Sequence, residues 1–409
     1  MKIGIIGGGA SGMAAALAAS GQGLDVTILE KNDRIGKKIL VTGNGKCNLS
    51  NLAFSTDCYH SGAKERLPGI FKQFTVSDTL DFFHELGLMT KEKNGYVYPQ
   101  CEQASAVLDV LRFALERKKV KIETGCRITR IVYKQGSFQV QVEKEDRHAV
   151  HRFDRMILAC GSRAGYKENE KADGLLLAES FQLRTEPFLP ALVQLRCQEP
   201  FLKALAGVRT QAKITLQTKD NTYKEEGELQ LTDYGISGIP VFQLSGYAVR
   251  ALQKQKALSV LLDFLPHFSE KEWKEELLLR KKALGNETME RFFTGTVHKK
   301  IITVLLKKEQ ISLNSRVTDF SEERLLALGM LLKKFPVTVV GHNSFSQAQV
   351  CSGGVLLDEV ADTLECRHQK GLYLAGELLD VDGRCGGYNL QWAWTSGIIA
   401  GRNAAGRRK

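Results

Sequence analysis

The sequence predicts an α/β chain built on a parallel-sheet, dinucleotide-binding domain that is discontinuous. Three observations carry this. The chain opens on a short apolar strand that runs into a glycine-rich turn and an alanine-rich helix. A β-rich stretch and then a basic, helical stretch interrupt the middle. A second glycine-rich strand–loop–helix pattern closes the chain.

The opening element, Lys2–Ile6, is apolar and β-branched, as a strand covered on both faces must be. Gly7, Gly9 and Gly12 follow in G-x-G-x-x-G register, and the alanines of residues 13–20 read as a helix. Residues 24–29 form a second strand ending at Glu30. Gly7 permits the tight turn, Gly9 lets a pyrophosphate approach the backbone, and Gly12 lets helix and strand pack closely. The helix start, at Ala10 and Ser11, offers N–H groups to phosphate. Glu30 can accept hydrogen bonds from a ribose. In the loop that follows, Gly36, Gly43 and Gly45 let backbone run close to a flat or charged ligand. Lys37, Lys38 and Lys46 add positive charge beside the pyrophosphate, and Lys31, Gly43, Gly45 and Asn48 join Lys38 as cofactor contacts.

Residues 71–87 read as one amphipathic helix, with Thr75, Ser77 or Asp78 as cap of its main part. Residues 104–118 form a helix with Val107, Leu108, Leu111 and Leu115 on one face. Strands follow at Lys121–Glu123, 128–133 and 138–142, the last two as a hairpin. Ile128 is placed against the cofactor. Residues 155–161 are a buried strand ending Ala159-Cys160-Gly161, a pattern that returns the chain to the cofactor, and 173–180 a helix. From Pro187 strands dominate, at 192–196, 212–218 and 222–231. The run Thr232-Asp-Tyr-Gly-Ile-Ser-Gly-Ile-Pro leads back toward a cofactor or substrate cleft. Helices at 273–284, 287–293, Lys299–Lys308 and 322–334 carry Arg280-Lys281-Lys282, Lys299-Lys300, Lys307-Lys308 and Lys333-Lys334. The expected boundaries are 1–186 with 345–409, then 187–262 with 335–344, and 263–334.

At the far end a strand finishes in Gly376-Glu377, a glycine-rich loop follows, and residues 392–404 form a helix of small and apolar residues. This order suits the ribityl chain and ring of a flavin. Glu377 accepts a ribityl hydroxyl, and the helix start stabilises the negative charge that the ring gains on reduction. Gly376, Glu377, Gly387, Tyr388, Asn389 and Leu390 are the contacts there, with Ala159 and Gly161 from the preceding strand. Simple NAD dehydrogenases do not usually need the far C-terminus to complete the domain, so the tightly bound cofactor reads as FAD.

Composition sets outer limits. No apolar run reaches the length of a membrane span. The nine cysteines are scattered and form no C-x-x-C pair, which excludes a disulfide framework and a zinc site and points to a reducing cytoplasm. The net charge of +11 fits a nucleic-acid partner, an anionic substrate, or merely a solvated basic surface.

Four stretches carry a resemblance. They are Ile5-Ile-Gly-Gly-Gly-Ala-Ser-Gly-Met, Lys37-Lys-Ile-Leu-Val-Thr-Gly-Asn-Gly-Lys-Cys-Asn, Asp233-Tyr-Gly-Ile-Ser-Gly-Ile-Pro, and Gly371-Leu-Tyr-Leu-Ala-Gly-Glu through Gly386-Gly-Tyr-Asn-Leu-Gln-Trp-Ala. The chain resembles the BaiN/RdsA-type (YhiN-type) bacterial flavoproteins along its whole length. One departure is Ser162-Arg-Ala-Gly-Tyr-Lys, where members often carry a longer loop. The resemblance implies FAD in a Rossmann-like domain, an inserted β-barrel-like domain and a small helical domain. It also implies one of three activities: reduction of a C=C bond in a 3-oxo bile acid, reduction of a ribosomal uridine to dihydrouridine, or oxidation of a small amine such as aminoacetone.

All three pass a hydride through flavin N5. Reduction of a conjugated C=C bond also needs a proton donor, for which Cys47, Cys385 and Tyr388 are the candidates, with His342 more distant. Only one dinucleotide fingerprint is present, so NADH or NADPH binds transiently as reductant. The basic helices, with Arg407-Arg408-Lys409, favour a uridine of 23S ribosomal RNA over a small enone as the acceptor.

Overall fold

The computed structural model describes residues 1–145, 147–167 and 172–406. They form two compact units, Met1–Leu189 with Val350–Lys409, and Pro190–Gln349. Among the described residues no helix is long and apolar enough to cross a membrane.

The first unit is Rossmann-like. Its five-stranded sheet has the order Leu372–Leu374, Arg155–Leu158, Lys2–Ile6, Asp25–Leu29, Lys121–Glu123, all parallel. The central strand is covered on both faces, which explains its uninterrupted Ile-Gly-Ile-Ile. The outer strand from residue 372 comes from the far end of the chain, so the domain is discontinuous. A three-stranded antiparallel sheet, Arg127–Lys134, Ser137–Lys144 and Arg147–Phe153, adds a strand to the expected hairpin. The helix expected over 71–87 is Val76–Glu85, and a separate short helix, Leu67–Phe71, precedes it. Thr75 caps the second, its hydroxyl accepting from Asp78 N–H while the Asp78 carboxylate accepts from Thr75 N–H.

The C-terminal helix, Tyr388–Ala404, holds this unit together. Gln391 accepts from the Ser50 hydroxyl at 2.7 Å and donates to Thr79 Oγ1 at 2.9 Å. Trp392 Nε1 donates to Gly376 O at 3.0 Å and Trp394 Nε1 to Leu49 O at 3.0 Å. Gly397 and Gly401 face the helix Ala10–Ala19, where a Cβ would run into the carbonyls of Ser11 and Ala15. Glycine there is what allows the two helices to approach.

The second unit is a closed six-stranded barrel in the order Leu195–Cys197, Gly235–Ser237, Thr222–Leu231, Arg209–Gln217, Leu258–Asp263, Phe335–His342. The helices Glu270–Leu284, Met289–Phe293, Lys299–Lys308 and Glu322–Met330 share one apolar core with the barrel, through Trp273, Leu277, Phe292 and Leu305. The helix Ile239–Leu252 was not expected. Its Pro240 sits in the first turn, where the missing N–H costs nothing.

Candidate functional site

Two helix starts define the site in the first unit. In Ala10–Ala19 the first helical bond runs from Met13 N–H to Gly9 O at 2.9 Å, so the N–H groups of Ala10, Ser11 and Gly12 have no partner within the helix. In Tyr388–Ala404 it runs from Gln391 N–H to Gly387 O at 2.9 Å, leaving those of Tyr388, Asn389 and Leu390. Gly397 lies on Ser11 and Gly401 on Ala15, equal steps in the same sense, so the helices run parallel. At 1.5 Å per residue the last helix therefore begins about 12 Å ahead of the first. Two positive dipole ends at that offset suit a ligand with an anionic centre near one and a charge-accepting ring near the other.

The glycines divide into two kinds. Gly7 has φ +104°, and a Cβ on it would strike the Ala159 carbonyl; one on Gly12 would strike the Gly7 carbonyl. These two are required by the fold itself. A Cβ on Gly9 or on Gly161 meets nothing within 4 Å. There the bare backbone borders open space, as a cradle for a pyrophosphate needs. Glu30 is buried, and its carboxylate accepts from Gly8 N–H at 2.7 Å and from Asn32 N–H at 2.8 Å. Ile128 is buried in Arg127–Lys134 and lines a cavity of about 240 Å³ with Arg127, Arg130, Asp173 and Leu177. Lys31 stacks on the Tyr166 ring, 4.1 Å from its centroid. On these observations the residues present fit FAD.

The residues expected at the flavin end are clipped to the last helix. Gly376 N–H donates to Ser396 Oγ at 2.9 Å. Gly387 caps the helix at φ +92°, and its N–H donates to the Asn48 side chain at 3.3 Å while the Asn48 amide donates to Ser50 O and Val97 O. Asn389 holds Gly383 through two bonds of 2.8 Å, and Leu390 packs on the core. Gly43, at φ +55°, lies in a kink that interrupts the 3₁₀ segment Ile39–Gly45, and Gly45, at φ +83°, ends it.

Each of the three lysines expected beside the pyrophosphate also has a partner in the chain. Lys38 pairs with Glu377 at 2.7 Å, Lys37 with Asp33 at 2.5 Å and Lys46 with Glu102 at 2.7 Å. Glu377 also accepts from Ser162 Oγ at 2.6 Å, a contact unread in the sequence although Ser162 directly follows Ala159-Cys160-Gly161.

Two of the candidate proton donors, Cys47 and Tyr388, are buried. Cys47 is fully buried, and desolvation pushes its thiol up to about 11, as a packed cysteine would be. Tyr388 is buried too, and its hydroxyl donates to Ala53 O at 3.2 Å. Burial raises it further above the usual phenol range, with Cys58 beside it adding to the rise. Cys385 is half-buried, with its thiol shifted upward by desolvation. His342 belongs to the second unit, with Nδ1 2.9 Å from Asn343 O.

The basic clusters of the second unit are largely committed within it. Arg280 donates to Phe292 O at 3.0 Å and Thr294 O at 3.0 Å. Lys299 pairs with Glu290 at 2.8 Å, and Lys300 donates to Ala206 O at 3.1 Å. Lys308 stands 5.3 Å from the Phe335 ring centroid. Lys333 is buried on Asp263 at 2.9 Å, and Lys334 pairs with Glu270 at 2.6 Å. Of these clusters' described residues, Lys281, Lys282 and Lys307 have none of these partners. Arg407-Arg408-Lys409 lie outside the described residues.

Comparison with known proteins agrees with this architecture. The model of the family described as HI0933-like protein Rossmann domain matches residues 1–403. A 3-dehydro-bile acid delta(4,6)-reductase of Clostridium scindens is 44% identical over 99% of this chain and 99% of its own. A ribosomal RNA dihydrouridine synthase of Haemophilus influenzae is 27% identical over 96% of this chain and 95% of its own. Among solved structures, a 3-ketosteroid-delta4-(5alpha)-dehydrogenase of Rhodococcus jostii shares the fold, with a TM-score of 0.52 at 15% identity over 98% of this chain and 96% of that one. With the family model matched almost end to end and a relative this similar along both chains, the chain belongs to the HI0933-like family and is an enzyme, a flavin-dependent oxidoreductase of the BaiN/RdsA type.

Proposed function

We propose that this enzyme reduces a carbon–carbon double bond conjugated to a carbonyl, in a small polycyclic acid of the 3-oxo bile-acid class. FAD is the bound cofactor and NADH or NADPH the reductant. The observation that carries this acceptor over ribosomal RNA is the internal use of the basic side chains of residues 190–349. A phosphate-binding face needs cations free to replace counterions. Here Lys333 is buried on a carboxylate, Arg280 and Lys300 donate to backbone carbonyls, Lys308 stands over a ring, and Lys299 and Lys334 are ion-paired at the surface. The similarity to the bile-acid reductase, over the full length of both chains, supports the same reading.

In this reading the N–H groups of Ala10, Ser11 and Gly12 bind the pyrophosphate, with Gly9 and Gly161 making room for it. Glu30 accepts from the ribose. Glu377, oriented by Lys38 and Ser162, accepts from the ribityl chain. The start of the helix Tyr388–Ala404 stabilises negative charge on the ring. Reduced FAD supplies a hydride from N5 when bound. The nine cysteines are all free, in keeping with a reducing, cytoplasmic compartment.

The test is anaerobic reduction of the purified flavoprotein by NADH or NADPH, followed by addition of acceptors. Rapid reoxidation by a 3-oxo-4-ene bile acid and not by a ribosomal RNA fragment is expected. Reoxidation by the RNA fragment with dihydrouridine formed, or peroxide released from aminoacetone without a nicotinamide, would overturn the assignment.

A further inference from the structure

Reduction of an enone places negative charge on its carbonyl oxygen, and that oxygen needs a donor. The Tyr388 hydroxyl is spent on Ala53 O, and a thiol such as that of Cys47 or Cys385 donates weakly. A stronger donor stands elsewhere in the first unit, on the three-stranded sheet made by Ser50–Asn51, Tyr96–Pro99 and Thr90–Lys93. Its middle strand alternates. Val97 and Pro99 are buried, while Tyr96 and Tyr98 share the other face and are half-buried.

Two glycine turns lie against that aromatic face. A Cβ on Gly386 would strike the Tyr96 ring, and one on Gly43 would come to 3.8 Å from the Tyr98 ring. The Gly386 carbonyl is held by Asn51 Nδ2–H at 2.9 Å, and Asn51 is the cross-strand neighbour of Tyr96. Gly386 leads into Gly387 and the helix Tyr388–Ala404, whose start the FAD reading places at the flavin ring. Gly43 belongs to the loop that leads to Asn48, which accepts from Gly387 N–H. Both tyrosines therefore border the flavin end of that reading, and every residue in this arrangement belongs to one unit.

The Tyr98 hydroxyl is unspent, because among the described residues no hydrogen bond takes it up. Burial pushes its phenol above the usual range, with Tyr96 adding to the rise and the Lys46 cation opposing it. Lys46 is itself anchored on Glu102 at 2.7 Å, and Glu102 on Lys91 at 2.9 Å. The phenol thus keeps its proton at neutral pH, and an anchored cation favours the phenolate left when the proton is given. A protonated hydroxyl on an aromatic wall suits the carbonyl end of an apolar polycyclic ketone.

We propose that Tyr98 donates the hydrogen bond that polarises the substrate's carbonyl oxygen. The proposal rests on the FAD and enone readings above. Hydride addition at the β-carbon forms a C–H bond and moves the π electrons onto the carbonyl oxygen. The Tyr98 O–H bond then breaks as an O–H bond forms on that oxygen. The enol so made tautomerises to the saturated ketone, and the phenolate regains its proton from solvent.

The test uses the oxidised holoenzyme and a 3-oxo-4-ene bile acid carrying carbon-13 at the carbonyl. The wild-type complex should show the isotope-edited carbonyl stretch moved to lower frequency, and Tyr98→Phe should return it to the position seen without a donor. The rate at which the enone reoxidises the reduced flavin should fall about 100-fold in the same variant, the scale of losing one preorganised donor. A protein carrying 3-fluorotyrosine at position 98, a more acidic phenol of nearly the same shape, should move the band further down. That protein keeps the test open should Tyr98→Phe melt early or lose its flavin. An unchanged carbonyl band in either well-folded variant, or a Tyr98→Phe effect confined to the flavin's own absorption, refutes the role of Tyr98 alone. A wild-type protein that neither binds nor is reoxidised by the enone refutes the enone reading, and this proposal with it.

Discussion

Gly9→Ala separates what the fold needs from what the cofactor needs. Gly9 sits at φ −78° and ψ −168°, a conformation open to alanine, and a Cβ there meets nothing within 4 Å. Reduced freedom of the unfolded chain would stabilise the variant by about 0.4–1 kcal/mol. Gly9 also caps the helix Ala10–Ala19, where alanine is the poorer cap by about 0.5–1 kcal/mol. The two nearly cancel, so stability without FAD should stay within about 0.5 kcal/mol of wild type. Bound pyrophosphate changes the balance, because the methyl then stands where the phosphate oxygens approach the backbone. An overpacked contact of that kind costs about 1–3 kcal/mol, a roughly 5- to 150-fold weaker Kd. Gly12→Ala is the contrast: its Cβ meets the Gly7 carbonyl with or without ligand, so the apoprotein itself should lose about 1–3 kcal/mol. Denaturant melts of the FAD-stripped proteins and calorimetric FAD titrations measure both quantities. A Gly9→Ala protein that binds FAD within twofold of wild type would refute the placement of the pyrophosphate.

Other outcomes follow from the charges. Lys333→Met leaves the Asp263 carboxylate beneath the helices without its cation and should cost about 3–5 kcal/mol in urea melts, while Lys333→Met with Asp263→Leu recovers most of it. Charge reversal of Lys281, Lys282 and Lys307 together should leave enone reduction unchanged, and a large loss of RNA retention on filters in that variant would restore the ribosomal reading. Glu102 is held down to about 2 by hydrogen bonds from Lys46 and Lys91. A depressed carboxyl stabilises the fold above its unfolded value, near pH 4.3, and that contribution fades as pH falls from about 5 toward 2. Glu102→Gln should therefore flatten the acid limb of the pH–stability curve measured by circular dichroism.

Elements that carry their own period were legible in the sequence. Lys2–Ile6 is a buried strand by composition, and Lys299–Lys308 shows its apolar face at helical spacing. Ile239–Leu252 was hidden because Gly238 and Pro240 look like loop residues; only its position shows that the proline opens a helix. The break between Leu67–Phe71 and Val76–Glu85 is marked by the Thr75–Asp78 capping box; the sequence offered both residues as caps, but apolar spacing alone does not end the first helix before them. For Cys47 the sequence leaves a proton donor and a packed small hydrophobe open, and the structure buries it in the core. The basic clusters show the limit of local reading. Lys333-Lys334 is plainly basic in the sequence, but the acid that neutralises Lys333 lies 70 positions away.

The helix Tyr388–Ala404 also changes how the FAD site is understood. A helix turns about 100° per residue, so consecutive side chains address different neighbours. Gln391 reaches Ser50 and Thr79, Trp392 reaches Gly376, Trp394 reaches Leu49, Ser396 receives Gly376, and Gly397 lies on Ser11. Within seven residues this helix therefore touches the start of the first helix, the segment carrying Asn48, and the Gly376-Glu377 turn. These are the pyrophosphate end, the intervening loop and the flavin end of the proposed site. The two halves of that site, almost a full chain length apart in sequence, share one support and are not separable modules. Their relative placement is fixed by glycine-to-carbonyl contacts at Gly397 and Gly401, which set the offset of about 12 Å between the two helix starts. Each sequence pattern is a common one by itself. What suits the pair to an extended dinucleotide, on the proposed reading, is the register in which one helix lies on the other.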